Sequence, residues 1–211
     1  RVWDNEGNVS QWSAPASFGI GFLDDKDWAS NAAFIGVPGN RGKSEVAPLL
    51  RKTFTAKEDA ERYLLHVNSL GYHEAYVNGT AVSDAVLSPA VSQFGVRTRI
   101  VTYDVTSMVH SGENDIIIWT GKGWYQTHNK AVVPGGPYVR AQLDCITSEG
   151  VTAVTATDGS WEYAESERRT YGPWRPHEMG GEIVDARKVL PDFKSETLDQ
   201  LKWKSVKVAD I

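Results

Sequence analysis

The chain has 211 residues, 41% of them hydrophobic, with Gly 19, Pro 9 and a formal net charge of −5. This suits one sizeable globular domain, or a domain with fragments attached, and excludes a disordered chain. The acidic balance argues against a non-specific nucleic-acid binder, which needs a basic face, and no apolar run approaches the roughly 18–20 residues of a membrane span.

In chain order, Arg1-Val2-Trp3 reads as a strand end, Asp4 to Asn8 as turn chemistry, and the stretch closing in Ser17-Phe18 as a second strand. A two-stranded hairpin is marginal alone in water. Residues 1–18 are therefore expected to be the closing hairpin of a preceding domain, and residues 19–46 a linker and entry into a sandwich. Strands are then expected over Leu49–Thr55, Arg62–Ser69, Glu74–Val77, Arg97–Val105, Asp115–Thr120, Tyr138–Thr147, Val151–Thr157, Trp161–Ala164 and Lys202–Val208. In Arg62–Ser69, Tyr63, Leu65 and Val67 share one face, with Arg62, His66 and Asn68 on the other. Val139, Ala141, Leu143 and Cys145 alternate in the same way with Arg140, Gln142 and Asp144. A period of two marks a half-buried antiparallel sheet. Single helical turns are expected near Glu58–Arg62 and Thr106–His110. Many strands with scant helix give an all-β, antiparallel sandwich of jelly-roll type, centred on residues 47–187 and followed by a connector and strand over 188–211. Cys145, the one cysteine, belongs to the core, so the fold must stand without an internal disulfide.

Few motifs carry chemistry. Asn78-Gly79 between two short apolar pairs signals a two-residue hairpin, a reading that competes with an Asn-Gly-Thr glycosylation sequon. Gly121-Lys122-Gly123-Trp124-Tyr125 lacks the third glycine and the following helix of a phosphate-binding loop, and reads as a tight corner projecting two aromatics. The run His177-Glu178-Met179-Gly180-Gly181 lacks the second histidine of a zinc-protease helix, so no metal ligand is assigned. No catalytic residue is assigned either. Trp124, Tyr125, Tyr171, Trp174, Arg175 and Arg187 are the candidate sugar or domain-interface contacts; Asn78, Gly79, Gly121, Gly123 and Asp185 are structural motif positions.

Two resemblances sharpen this reading. "NVSQWSAPASF" resembles the final strand of a fibronectin type III-like domain. "LGYHEAYVNGTAVSDAVLSP", "TYDVTSMVHSGEND", "GKGWY" and "GGEIVDAR" occur in the order and approximate spacing of the N-terminal β-sandwich of bacterial α-L-rhamnosidases. The resemblance implies that hydrolysis is done by a downstream (α/α)-barrel of the same chain, so this chain would be a non-catalytic accessory module docking that barrel. It implies a periplasmic or extracellular parent, with a cytoplasmic one left open. Some relatives hold L-rhamnose through calcium, using an acidic Asp-Asn pair; Leu70-Gly71 stands at the corresponding place, so no cofactor is expected here. The family's Trp in a "PGWTDY"-like run is also replaced, within Pro89 to Phe94. The segment from Tyr171 to Arg187, with Val184 where the family has Tyr, is expected to be an inter-domain docking surface. A carbohydrate-binding module for a rhamnose-containing glycan and an independent adhesion module are the alternatives.

Overall fold

The computed structural model describes residues 1–16, 20–38, 46–125, 135–172 and 180–211. Its strands are β1 (Phe34–Gly36), β2 (Val46–Thr55), β3 (Arg62–Leu70), β4 (Tyr72–Val77), β5 (Thr80–Ala81), β6 (Ile100–Asp104) and β7 (Glu113–Gly121). These are followed by β8 (Tyr138–Thr147), β9 (Gly150–Ala156), β10 (Glu162–Tyr171), β11 (Gly181–Val184), β12 (Lys204–Ser205) and β13 (Lys207–Ala209). A short helix, α1 (Ser195–Leu198), precedes β12. Six strands form one sheet, ordered β13-β1-β8-β3-β6 with β9 also on β8. Seven form the other, ordered β11-β10-β2-β7-β4-β5 with β12 also on β10. Every pairing is antiparallel. The expected all-β sandwich is the observed fold.

The inner faces follow the alternation of the sequence. Tyr63, Leu65 and Val67 of β3, with Val139, Ala141, Leu143 and Cys145 of β8, meet Leu50, Ala75, Val77, Ile116 and Ile118 of the facing sheet. Burial of this apolar surface is the main stabilising term, at about 25 cal/mol per Å² removed from water. Trp161 closes one flank of this core at 1% exposure, its indole donating to the Ala156 carbonyl at 2.9 Å. The turn Asn78-Gly79 takes positive φ at both positions (49° and 79°), which fixes the hairpin pairing Tyr76↔Ala81 and Val77↔Thr80. The Asn78 amide nitrogen donates to Met108 O at 2.8 Å and to Asn114 Oδ1 at 2.7 Å, so the side chain is committed to holding the turn. The turn expected near Thr106–His110 is a 3₁₀ turn over Thr106–Met108, and Asp104 Oδ1 accepts from the Thr106 backbone N–H.

Both outer faces are covered by chain-end segments, and the covers differ. After β11 the chain crosses the seven-stranded sheet, laying Leu190, Phe193, Leu198, Leu201 and Trp203 over Leu49, Ile117, Tyr76 and Trp119. Arg51 locks this cover: Nε and one terminal nitrogen donate to Asp115 at 2.8 and 3.1 Å, and the other donates to Asp199 at 2.6 Å. Ser195 adds a hydroxyl donation to Asp115. Over the six-stranded sheet, residues 20–33 form a strap seated on polar side chains. Phe22 stacks on His66, with ring centroids 4.0 Å apart, and meets Trp28 edge-on. Thus His66, Gln142 and Asp144, on the face that alternation assigns to solvent, are buried beneath protein. The strap continues into β1, which pairs with both β8 and β13.

Residues 1–16 form a small hairpin with a bridge between Trp3 and Val9. Asp4 caps its turn, accepting from Glu6 N and Asn8 N. The Arg1 guanidinium lies over the rings of Trp3 and Trp12, 5.7 and 5.4 Å from their centroids.

Candidate functional site at the loop-bearing end

The registers place several strand ends together. Leu70 pairs with Tyr138, Tyr72 with Gly121, and Arg169 with Val46, so the described residues 122–125, 135–137 and 172, with the β5–β6 loop 82–99, gather at one end of the sandwich. Glycine makes this end possible. Gly71 has φ of +130°, and a Cβ there would lie 2.2 Å from the Gly121 carbonyl oxygen, so any side chain would push the two strands apart. Gly123 has φ of +50° and packs against Tyr72, which turns the chain sharply before Trp124 and Tyr125.

This end gathers Gly121, Gly123, Trp124, Tyr125 and Tyr171 from the sequence-based candidates. Their environments differ. Trp124 is 42% and Tyr171 66% exposed, whereas Tyr125 is 2% exposed. Tyr125 packs with Leu70 and Tyr138, and meets the Phe94 ring edge-on at 5.5 Å. It is therefore a core residue of the loop end, unavailable to a sugar or partner. Phe94 supplies an aromatic from the run where the family's Trp is absent. Trp174 and Arg175 lie outside the described residues. Arg187 and Asp185 fall elsewhere, because β11 runs back from the loop end along β10. They form their own bidentate pair at 2.8 and 3.0 Å, and the guanidinium hydrogen bonds hold the Asp185 carboxyl down to about 2. Asn78 and Gly79 sit at the opposite end.

Two features of this region escaped the sequence reading. Leu87, Val91 and Val96, at 69%, 51% and 82% exposure, add apolar surface from the β5–β6 loop. Beneath that loop a buried relay joins the sheets: Ser69 Oγ lies 2.7 Å from His73 Nδ1, and Tyr103 OH lies 2.9 Å from His73 Nε2. Burial pushes His73 down to about 4, so the ring is neutral at physiological pH. The loop is tied to the relay by His73 N donating to Ser88 O at 2.7 Å.

At the place considered for calcium, Leu70 is buried in the apolar cluster with Tyr125 and Tyr138, and Gly71 adds no side-chain oxygen. Among the described residues no group of three or more His, Cys, Asp or Glu side chains could hold a metal ion.

The α-L-rhamnosidase N-terminal domain model matches residues 58–211. The chain belongs to that family. An α-L-rhamnosidase of Formosa agariphila is 28% identical over 220 residues, covering 98% of this chain and 23% of the relative. One of Streptomyces avermitilis is 31% identical over 205 residues, covering 89% of this chain and 19% of the relative. Among solved structures, native α-L-rhamnosidase from Aspergillus terreus superposes with a TM-score of 0.79 at 21% identity, over 99% of this chain and 25% of that one. The Streptomyces avermitilis enzyme complexed with L-rhamnose gives a TM-score of 0.64 at 26% identity, over 79% and 16%. The chain thus spans about a quarter of the length of the first relatives it matches. The match runs to Ile211, so the C-terminal cover and β13 are part of the family domain.

Proposed function

We propose that the chain is a non-catalytic accessory sandwich of a larger α-L-rhamnosidase, and that its loop-bearing end seats against the enzyme's catalytic (α/α)-barrel. The carrying observation is one of proportion: relatives bearing this domain are about four times longer than the part it matches. The internal chemistry supports the reading. Glycoside hydrolysis needs two carboxyl groups facing across the scissile bond. Here the buried aspartates serve the fold: Asp115 is bound by Arg51 and Ser195, and Asp144 by Gln142 and His66. The loop end instead offers Trp124 and Tyr171 with exposed valines, the aromatic and apolar surface from which interface centres are made. Residues 1–16, with the exposed Arg1 stacking, fit the closing hairpin of a preceding fibronectin type III-like domain.

An activity split tests this. The chain alone, incubated at high concentration with an aryl α-L-rhamnoside, should release no aryl group, while the full-length protein should. Turnover that stays with the repurified chain would overturn the reading.

A further inference from the structure

The strap over the six-stranded sheet covers an unusual surface. Sheet faces buried inside a protein are normally apolar, because a buried polar group costs free energy unless it is hydrogen-bonded. This one carries His66, Asn68, Arg140, Gln142 and Asp144, and the strap satisfies only part of it. Gln142 Oε1 accepts from Ala29 N at 2.6 Å, and Gln142 Nε2 donates to Asp144 at 2.7 Å. Arg140 donates to Asp25 at 2.6 Å and lies over Trp28 at 4.5 Å. Asn68 pairs in register with Arg140 on one side and Ile100 on the other, so the three side chains share this face. Asn68 is 8% exposed, and its amide nitrogen donates to Thr98 at 2.8 Å. Its Oδ1, an acceptor, has no hydrogen-bond partner among the described residues, and neither does the Nε donor of Arg140.

We propose that this face is a saccharide-binding face, closed in this structure by residues 20–33 acting as an intramolecular plug. The match is chemical. A sugar hydroxyl donates and accepts at once, so one hydroxyl could give its proton to Asn68 Oδ1 and receive the Arg140 Nε–H. The amide of Gln142 and the carboxylate of Asp144 offer a further donor and acceptors beside them. Phe22 occupies, flat on His66, the place that the apolar face of a pyranose ring would take. Over the polar side chains the plug is held by groups a ligand could replace: the Phe22 ring on His66, Ala29 N and Asp27 O on the Gln142 amide, and the exposed Asp25 on Arg140. Beside them Trp28 and Ala32 pack on Ala156, and Asn31 donates to Asp158, so the strap stays anchored at its β1 end. Asp25 is 84% exposed, and a salt bridge to so exposed a group contributes little. Binding would then be scaled down by the fraction of molecules whose strap is open, and loosening the strap should strengthen it by up to the inverse of that fraction. This goes beyond the accessory role and stands apart from it, since the loop-bearing end is not used.

The test loosens the strap without touching the sheet. In F22A/D25A, L-rhamnose and D-galactose are titrated separately, followed by ligand-observed NMR and by the side-chain amide signals of Asn68 and Gln142. The proposal expects at least one sugar to bind saturably, at least tenfold more tightly than to the unaltered chain, and Asn68→Ala in that background to abolish it. Absence of saturable binding in a variant that keeps its cooperative melt overturns the proposal, as does binding that survives Asn68→Ala. Should F22A/D25A fail to fold, the unaltered chain decides. Saturating sugar should speed hydrogen exchange at the Ala29 amide as the strap is displaced, and unchanged exchange at 100-fold molar excess of both sugars counts against the plug.

Discussion

The two outer faces of the sandwich are covered by opposite means. The seven-stranded sheet offers Leu49, Ile117 and Trp119, and the chain answers with Leu198, Phe193 and Trp203. The six-stranded sheet offers His66, Gln142 and Asp144, and the chain answers with hydrogen bonds and two aromatic rings. An apolar cover is held by burial, which no water can substitute. A polar cover trades hydrogen bonds that water, or a sugar, can also make, so its net hold is smaller. The C-terminal segment should therefore behave as a permanent part of the core, and the N-terminal strap as its least stable layer.

Three measurements press on this contrast. The largest effect should come from Arg51→Ala, which leaves Asp115 buried beside Ser195 without its cation. Removing one partner of a buried pair costs about 3–5 kcal/mol, read as a fall in the denaturation midpoint. A loss below about 1 kcal/mol would mean that the C-terminal cover is held no more firmly than the strap. Acid should act at the buried His73. His73 is kept neutral by burial at about 4 against an ordinary value of 6.5, so the unfolded chain binds the proton first as pH falls. Stability should decline from pH 6.5 to 4 by about 3 kcal/mol. His73→Gln should flatten that slope, and a slope unchanged by the substitution would place the titrating group elsewhere. The smallest effect should come from Gln142→Ala, which deprives Ala29 N and Asp144 of a partner. It should cost about 1–2 kcal/mol and speed exchange in residues 27–32 while leaving residues 193–203 protected. Equal loosening of both covers would dissolve the distinction.

The sequence carried the inner faces clearly, because alternation in β3 and β8 states which residues face the facing sheet. It was less informative about the outer ones. Polar residues alternating with apolar ones look the same whether water or a strap lies over them, so His66 and Gln142 gave no sign of burial. The apolar cover did leave a signal: Ile116-Ile117-Ile118-Trp119 in β7 is hydrophobic on both faces, as expected of a strand covered on both sides. Strands β1 and β11, three and four residues long, fell below what periodicity can show, and exist through their pairing with β13 and β10. At the candidate site, the corner at Gly121 and Gly123 was legible from glycine spacing. Which of its two aromatics points inward was not, because that depends on Phe94 and Tyr138, distant in sequence.

The proposed accessory role stands or falls on whether the loop-bearing end is covered in the full-length protein. Hydrogen exchange compared between the chain alone and the full-length protein measures this directly. The account predicts that amides around Trp124, Tyr125 and Tyr171 become more protected in the full-length protein, while those of both outer covers stay as they are. Unchanged exchange at those positions, with new protection over the strap or over residues 193–203, would contradict it.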